Sequence, residues 1–142
     1  MSNKQLARRW FEEVWNHRDA AAIQRMASAD CVVHGLGDQG EDVIGLDGFR
    51  FFHQKFLGAF NDLRVTIEDL LEEDDRVAIR WRATGTMTGD GLGLKPTGKT
   101  MTITGMSIVR VWNGQLVEGW NNFDLLGMHQ QLGTLAAITA GI

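Results

Sequence analysis

The sequence predicts an α+β fold, with helices in the first part of the chain and a long antiparallel sheet in the second. Up to about residue 62, apolar residues recur at helical spacing, and after that point they alternate with a period of two. The dipeptide Asn113-Gly114 joins two β-branched runs, which is a strong signal for a hairpin. Helices followed by a continuous series of strands are typical of a strongly bent sheet that wraps a helix and leaves a cavity at its open end.

Composition predicts one globular, soluble domain that spans residues 1–142. The chain has 142 residues, of which 44% are hydrophobic and 23% charged, so it is long enough to bury a real core. Its net charge is −4, and its basic residues are scattered, which argues against a nucleic-acid-binding surface. We therefore expect a small hydrophobic molecule or another protein as the partner.

The chain opens with Met1-Ser-Asn-Lys4 directly before an amphipathic helix, and it has no apolar run long enough to span a membrane. We expect no signal peptide, no membrane contact and a cytoplasmic location. Cys31 is the single cysteine, which excludes an internal disulfide, and its Val-rich surroundings predict a buried, inert thiol. Four scattered histidines and no cysteine cluster give no metal-ligand pattern, so we expect no metal site.

Three helices are predicted before the sheet. The first runs from about Lys4 to Asn16, and Asp19 is the expected N-cap of a short second helix that ends at Met26. Asp47 is the expected cap of the third helix, which ends at Asn61-Asp62. The aromatic face of this third helix comprises Phe49, Phe52, His53, Phe56 and Phe60.

Four strands are predicted to form a meander, after one or two short strands near the glycine-rich segment that begins at Gly35. The acidic turn of residues 72–75 joins the first two strands of the meander. The short strands are Cys31–His34 and Val43–Ile44, and the meander comprises Leu63–Leu71, Arg76–Thr86, Thr100–Val111 and Gln115–Phe123.

Two versions of the last hairpin place different side chains on the inner face. A three-residue loop, Trp112-Asn113-Gly114, pairs Val111 with Gln115 and is the version we prefer, because it separates small and polar residues from apolar ones. A two-residue turn pairs Trp112 with Gln115 instead, and puts Asn121 beside Met106 and Ile108. The inner face of the preferred version carries Gly105, Ser107, Val109, Val117, Gly119, Asn121 and Phe123.

With this order of elements, a set of motifs resembles the SnoaL-like (polyketide cyclase, or ester cyclase) family over roughly Asn3 to Leu135. The resemblance implies the conical α+β barrel of nuclear transport factor 2-like proteins, ketosteroid isomerase and limonene epoxide hydrolase. It also implies a deep apolar pocket and a homodimer formed through the sheet. The motifs are Gly85-Thr-Met-Thr-Gly89, Lys95-Pro-Thr-Gly-Lys99, Ile108-Val-Arg110, Asn113-Gly114, Glu118-x-Trp120, Asp124 and Gln131-Leu-Gly133.

The resemblance also implies where the site lies. In the polyketide cyclases, an aspartate on the last strand handles the proton of an intramolecular aldol closure without a metal or cofactor, and this position is Asn121 here. Polar cyclase residues on the neighbouring strand correspond to Gly105 and Ser107. An amide cannot titrate, so Asn121 is excluded as a general base, although it can donate a hydrogen bond to a carbonyl or enolate oxygen.

Other side chains are candidates for the chemistry. His34 ends a strand before the glycine-rich loop and is either a proton-transfer group or a hydrogen-bonded histidine at a strand end. His53 projects either into the pocket or into the core. Asp124 is either a site residue of the family motif or the cap of the helix over Leu125–Gln131, and His129 is expected to face solvent.

Apolar positions complete the predicted site and its surroundings. Trp81 is a core or pocket-wall residue that could stack on a planar ligand, and Phe56 and Phe123 belong to the same substrate-binding wall. The segment Gly85 to Lys99 is expected to be a mobile hairpin or a lid over the pocket. The outer side of the sheet carries an apolar patch that predicts the homodimer face, namely Met106, Ile108 and Trp120.

Two functional hypotheses follow. The first is a cofactor-independent enzyme, a cyclase, isomerase or lactone-type hydrolase, in which His34 moves a proton while Asn121 and Ser107 donate hydrogen bonds to a hydrophobic carbonyl compound. The second is a non-catalytic protein of the same fold that binds a small apolar molecule. Chemistry like that of limonene epoxide hydrolase is a third option, but the sequence offers no inward pair of aspartates for it.

Overall fold

The computed structural model describes residues 1–37 and 39–140 and contains both the predicted helices and a single six-stranded sheet. The helices are α1 (Asn3–Arg9), which continues as a π-helix over Trp10–Asn16, α2 (Ala20–Met26), α3 (Gly45–Ala59), α4 (Leu125–Leu132) and α5 (Leu135–Thr139). The strands are β1 (Ala27–His34), β2 (Val43–Ile44), β3 (Arg64–Glu73), β4 (Arg76–Thr86), β5 (Thr100–Trp112) and β6 (Gln115–Phe123).

The sheet has the strand order β2-β1-β6-β5-β4-β3, and it is curved without closing on itself. The predicted meander of four antiparallel strands forms β3 to β6, and the predicted α+β class is confirmed. What the sequence did not predict is that β1 pairs with β6 in parallel, which adds β1 and β2 to the same sheet. Strand β1 also begins four residues earlier than expected, at Ala27.

The first helix ends at Asn16 as predicted, but its second half is wider than an α-helix. The backbone N–H of His17 donates to the carbonyl oxygen of Glu12, which is a bond across five residues. In this π-helix Trp10, Phe11 and Trp15 all contribute to one cavity wall.

Helix α3 begins earlier than predicted, and the expectation that Asp47 caps it is wrong. The helix starts at Gly45, so Asp47 lies within the first turn, where its Oδ1 accepts a hydrogen bond from Arg50 at 3.2 Å. At the other end, the Arg18 guanidinium donates to the carbonyl oxygens of Leu57 and Phe60, at 2.8 and 3.0 Å. These bonds satisfy carbonyl groups that the end of any helix leaves without partners.

The last hairpin has the two-residue turn, so the preferred three-residue loop was wrong. Trp112 pairs with Gln115, and the turn residues Asn113 and Gly114 have φ values of 55° and 75°. A register shift between Arg110 and Val111 then changes the pairing of the rest of β6. Val117 is the extra residue of this bulge and lines an open groove rather than the cavity. Because of the bulge, Ser107 lies opposite Asn121 on the inner face.

Two further expectations are corrected by packing. His129 does not face solvent: it is buried, and its Nδ1 lies 2.7 Å from the hydroxyl oxygen of Thr134. The glycine-rich segment Gly85 to Lys99 is hydrogen-bonded to the end of α3. The backbone N–H groups of Thr88 and Gly89 both donate to the carbonyl oxygen of Ala59. Met87 in this segment is fully buried, and no residue of 87–99 lines the cavity. The segment is therefore not a lid over the pocket.

Within residues 1–37 and 39–140, no helix has both the length and the apolar character needed to cross a membrane. The longest helix is α3, with 15 residues. The cytoplasmic location and the single domain over residues 1–142 stay predictions from the sequence.

Arg18→Ala should lower the free energy of unfolding by about 1.5 to 3 kcal/mol, because a charged donor is lost from two partly buried carbonyl groups. Urea unfolding followed by tryptophan fluorescence measures the change. Arg8→Ala is the matched control, since Arg8 is exposed on α1. Equal effects of the two substitutions would contradict the role of Arg18 at the end of α3.

Candidate functional site

A cavity of about 130 Å³ lies between the inner face of the sheet and the helices. Its wall is largely apolar, and a void of this size has room for a compound of about one aromatic ring. The aromatic residues of the wall are Trp10, Phe11, Trp15, Phe49, Phe52, Phe56, Trp81 and Phe123. The predicted wall residues Phe56, Trp81 and Phe123 thus meet at the cavity, with ring centroids 6.4 Å apart for Phe56–Phe123 and for Trp81–Phe123.

One chain of hydrogen bonds crosses this apolar wall. The Trp81 Nε1–H donates to Ser107 Oγ at 3.0 Å, the Ser107 hydroxyl donates to Asn121 Oδ1 at 2.6 Å, and Asn121 Nδ2 donates to the carbonyl oxygen of His34 at 3.2 Å. Since an indole N–H can only donate, the Ser107 proton goes to the amide oxygen, and this fixes the orientation of the amide. The second Nδ2 proton has no partner among the described residues, and Asn121 is one of the residues that line the cavity.

Gly105 explains how Trp81 reaches this chain. The indole ring of Trp81 lies against the backbone of Gly105, and a Cβ added there would overlap the ring. Since Trp81 pairs with Gly105 across β4 and β5, and Ser107 is two residues further along, the flat ring brings Nε1 to the serine hydroxyl. Any larger residue at position 105 would displace the indole ring.

The end of β1 is held against Asn121 by a close backbone approach. Gly35 has a φ of 82°, in the left-handed region, and a Cβ there would overlap the carbonyl oxygen of Asn121. Glycine is thus required at this position both for its conformation and for the contact. The next residue, Leu36, contributes to the cavity wall.

The imidazole of His34 lies on the opposite side of the sheet from the cavity. Cys31 and Val33 line the cavity, so the alternation along β1 turns His34 outward, where its ring stacks on Trp120 with centroids 5.6 Å apart. Only the backbone oxygen of His34 reaches the site. The structure therefore corrects the expectation that His34 is the proton-transfer group of the cavity.

On the outer side, His34 lies between two carboxylates. Its Nδ1 is 2.7 Å from Asp42 Oδ1, and its Nε2 is 2.8 Å from Glu118 Oε2. The hydrogen bond to Glu118, followed by the one to Asp42, raises the pKa of His34 above its ordinary value. This cluster was not predicted from the sequence, although Glu118 belongs to the Glu118-x-Trp120 motif.

His53 lies behind the cavity wall and is not among the residues that line it. Its Nε2 is 2.7 Å from the carbonyl oxygen of Val14, and its ring packs against Trp15, with centroids 5.0 Å apart. Burial lowers the pKa of His53, so the imidazole is neutral and donates to the carbonyl. His53 is therefore a core residue, as one of the two alternatives predicted, and it does not project into the pocket.

Asp124 caps a helix and does not line the cavity. Its Oδ1 accepts a hydrogen bond from the backbone N–H of Gly127 at 2.9 Å, which makes it the N-cap of α4. The substrate-binding role considered for Asp124 is therefore corrected to this capping role.

Two titratable residues border the cavity, Cys31 and Glu118. Burial raises the pKa of the Cys31 thiol, which keeps it protonated and weakly nucleophilic. The Glu118 carboxylate is engaged outside the cavity, with His34 and with Arg110, whose Nε lies 3.6 Å from Glu118 Oε1. In the described parts of the chain, no three His, Cys, Asp or Glu side chains are grouped so that they could hold a metal ion.

Comparison with solved structures finds the same fold in other proteins. The putative polyketide cyclase IdmH from Streptomyces antibioticus is 27% identical, with a TM-score of 0.79 over 93% of this chain and 99% of that one. The putative hydroxylase AclR from Streptomyces galilaeus is 26% identical, with a TM-score of 0.81 over 93% of this chain and 96% of that one. A protein from Catenulispora acidiphila with a ketosteroid isomerase-like fold is 14% identical, with a TM-score of 0.76 over 93% and 95%.

Comparison with curated proteins finds no match. The family model described as SnoaL-like polyketide cyclase matches residues 5–132, which include every strand and the residues that line the cavity. This match, together with the curved sheet over its helices, shows that the chain belongs to the SnoaL-like polyketide cyclase family.

Proposed function

We propose that this protein binds a small hydrophobic carbonyl compound in the cavity and promotes its enolisation, as required for a cyclase- or isomerase-type reaction, without a metal or cofactor. The observation that carries this proposal is the oriented amide of Asn121. Its Nδ2 is a hydrogen-bond donor in an apolar cavity, and its orientation is set by Ser107 and by the His34 carbonyl before any ligand arrives. A preorganised donor of this kind stabilises an oxygen that gains negative charge.

The chemical step assigns one role to the protein and one to solvent. The C–H bond next to the carbonyl breaks, its electron pair forms the C=C bond of the enolate, and the carbonyl π electrons move to oxygen. Asn121 Nδ2 donates to that oxygen, Ser107 and Trp81 hold the amide in place, and the proton passes to water. An enolate formed in this way is the nucleophile of an intramolecular aldol closure. If the substrate carries a C=C bond β,γ to the carbonyl, the product is a dienolate, and its reprotonation at the γ carbon is an isomerisation.

A second candidate function is binding without catalysis. It is favoured by the placement of His34, whose imidazole faces away from the cavity, and by the absence of a free carboxylate beside Asn121 among the cavity residues. Chemistry of the limonene epoxide hydrolase type finds less support, since none of the residues that line the cavity is an aspartate or an arginine. Both candidate functions predict the same kind of ligand, but only the first predicts that the protein converts it to a product.

Asn121→Leu should remove the preference of the cavity for a carbonyl group. Acetophenone and α-methylstyrene have nearly the same shape and differ in C=O against C=CH2, so the ratio of their Kd values reports the hydrogen bond. We expect the wild type to favour acetophenone by about threefold to tenfold, because one net hydrogen bond contributes about 0.5 to 1.5 kcal/mol. The variant should favour the hydrocarbon instead, because a carbonyl oxygen buried without a partner costs about 1 to 3 kcal/mol. Quenching of tryptophan fluorescence measures both, since three tryptophans line the cavity.

Ile103→Val is the control variant, because it trims the wall without touching the hydrogen-bond chain and should weaken both ligands alike. A carbonyl preference that persists in Asn121→Leu would contradict the proposed site. Exchange of the benzylic protons of phenylacetone into D₂O, followed by NMR, then separates catalysis from binding. We expect the wild type to accelerate exchange and Asn121→Leu to lose about 100-fold of that acceleration, whereas a pure binder accelerates nothing.

Asn121→Asp should make stability fall with rising pH. The new carboxyl group would face the His34 carbonyl oxygen in an apolar wall, and both the repulsion and the loss of hydration raise its pKa in the folded state above the unfolded value of about 3.9. Between those two pKa values the folded state binds more protons, so the free energy of unfolding decreases as the pH rises through the window.

Urea unfolding of Asn121→Asp between about pH 4 and pH 8 tests this sign against the wild type. Gln54→Glu introduces the same charge on the exposed side of α3, away from the cavity and the sheet face, and the pH dependence of its stability should match that of the wild type. If the two variants show the same pH dependence, then position 121 is not the apolar, hydrogen-bonded site described above.

We also propose a homodimer formed through the outer face of the sheet. Met106 and Ile108 are 61% and 42% exposed there, and Trp120 pairs with Ile108. Such a grouping of large apolar side chains is uncommon on a protein surface. Such a face is typical of subunit contacts around a two-fold axis.

Met106→Glu should therefore convert dimers to monomers at micromolar concentration, because a charge would be buried in an apolar contact. Sedimentation velocity measures the mass of the particle. Phe51→Glu is the matched control, since Phe51 is 68% exposed on α3, away from the sheet face. A wild-type protein that already sediments as a monomer at this concentration would refute the interface.

A further inference from the structure

The contact between Asp42, His34 and Glu118 joins two parts of the chain that meet at the cavity. His34 is the last residue of β1, Asp42 immediately precedes β2, and Glu118 belongs to β6. Each carboxylate lies within 2.8 Å of a different ring nitrogen. These three side chains are partly exposed, at 31% for His34, 49% for Asp42 and 28% for Glu118, so protons reach them from solvent.

Only one protonation state of the imidazole satisfies both contacts. The imidazolium carries a proton on each nitrogen and donates to both carboxylates, whereas a neutral imidazole has one donor and one lone pair. In the neutral form, the lone pair would face a carboxylate oxygen at hydrogen-bond distance, so one of the two contacts must break. The geometry of the cluster is thus that of a charged histidine.

The surrounding charges decide which contact breaks. Glu118 keeps a second partner, because Arg110 Nε lies 3.6 Å from its Oε1, and Arg76 lies over the Trp120 ring at 5.3 Å from its centroid. No second partner is described for Asp42, which is the more exposed of the two carboxylates. Deprotonation of His34 therefore releases Asp42 and leaves the bond to Glu118.

The backbone next to His34 forms part of the cavity wall. Its carbonyl oxygen accepts the hydrogen bond from Asn121 Nδ2, Gly35 packs against the Asn121 carbonyl, and Leu36 lines the cavity. A change in how the end of β1 is held is thus transmitted to the amide that faces the ligand, over a distance of one residue.

We propose that His34 is a positioning residue whose imidazolium, bound by Asp42 and Glu118, holds the end of β1 in the position that orients Asn121, so that ligand binding weakens when His34 loses its proton. This inference rests on the proposed function, in that the ligand occupies the cavity beside Asn121. The two carboxylates raise the pKa of His34, so the binding-competent form extends to higher pH than an isolated histidine would allow. The weakening appears as the pH rises through that raised pKa.

The test measures the Kd of acetophenone from about pH 6 to about pH 9, alongside an NMR titration of the His34 ring. In the wild type, we expect the Kd to increase about fivefold or more, with the midpoint at the pKa that NMR gives for His34. His34→Gln should give a flat profile, and Asp42→Asn should shift both the midpoint and the NMR pKa downward together. His17→Gln is the control, since His17 pairs with Glu12 on the surface and should leave the wild-type profile unchanged.

A Kd that is independent of pH in the wild type, or a pH profile that survives in His34→Gln, would overturn the proposal. If acetophenone does not bind at any pH, the proposed function fails, and the positioning role is then decided without a ligand. The ligand-free measurement is an NMR titration of the side-chain amide of Asn121. Its resonances should shift with the pKa of His34 in the wild type and in His17→Gln. Amide resonances that stay constant across the titration would overturn the proposal independently of the ligand.

Discussion

The parallel pairing of β1 with β6 is the constraint on which the cavity and its site depend. Among the pairings of the described strands, it joins the segments farthest apart in sequence, and it sets His34 opposite Trp120. Because of that register, Cys31 and Val33 close the cavity wall, and the His34 carbonyl becomes the acceptor for Asn121 Nδ2. Without this pairing, the amide would lose its fixed orientation, and a buried polar group without a partner costs about 1 to 3 kcal/mol.

The polar groups in the cavity wall are physically connected. Gly105 leaves the space in which the Trp81 ring lies, Trp81 donates to Ser107, and Ser107 in turn donates to the side-chain amide of Asn121. An amide suits this position because it faces a donor on one side and a carbonyl oxygen on the other, whereas an ionised carboxylate suits only the donor. Gly105, Trp81, Ser107 and Asn121 therefore form one continuous arrangement, in which each residue positions the next.

Among the described residues, Glu118 is the one charged residue that borders the cavity, and its carboxylate is paired with His34 and Arg110. His34, Glu118 and Arg110 interact on the outer side, and the inner side presents Ser107 and Asn121 as its hydrogen-bonding side chains beside aromatic rings. A charge in the cavity would lose its hydration, so its exclusion keeps the interior suitable for a neutral ligand. The two sides are connected by His34 at the end of β1. Its ring contacts Asp42 and Glu118 on the outer side, and its carbonyl oxygen accepts the hydrogen bond from Asn121.

Local patterns in the sequence determined the α+β class, the strands β4 and β6, and the caps formed by Asp19 and Asp124, because each depends on a short repeat or on a few neighbouring residues. Tertiary structure decided the rest. The alternation of side chains along a strand that buries Cys31 already turned His34 to the other face, but its partners depended on long-range pairing with β6. The bulge at Val117 kept Ser107 opposite Asn121 although the turn was predicted wrongly, and packing around Trp15 placed His53 in the core. Sequence periodicity determines which residues share a face of a helix or strand. Contacts between distant segments determine which residues pack against that face.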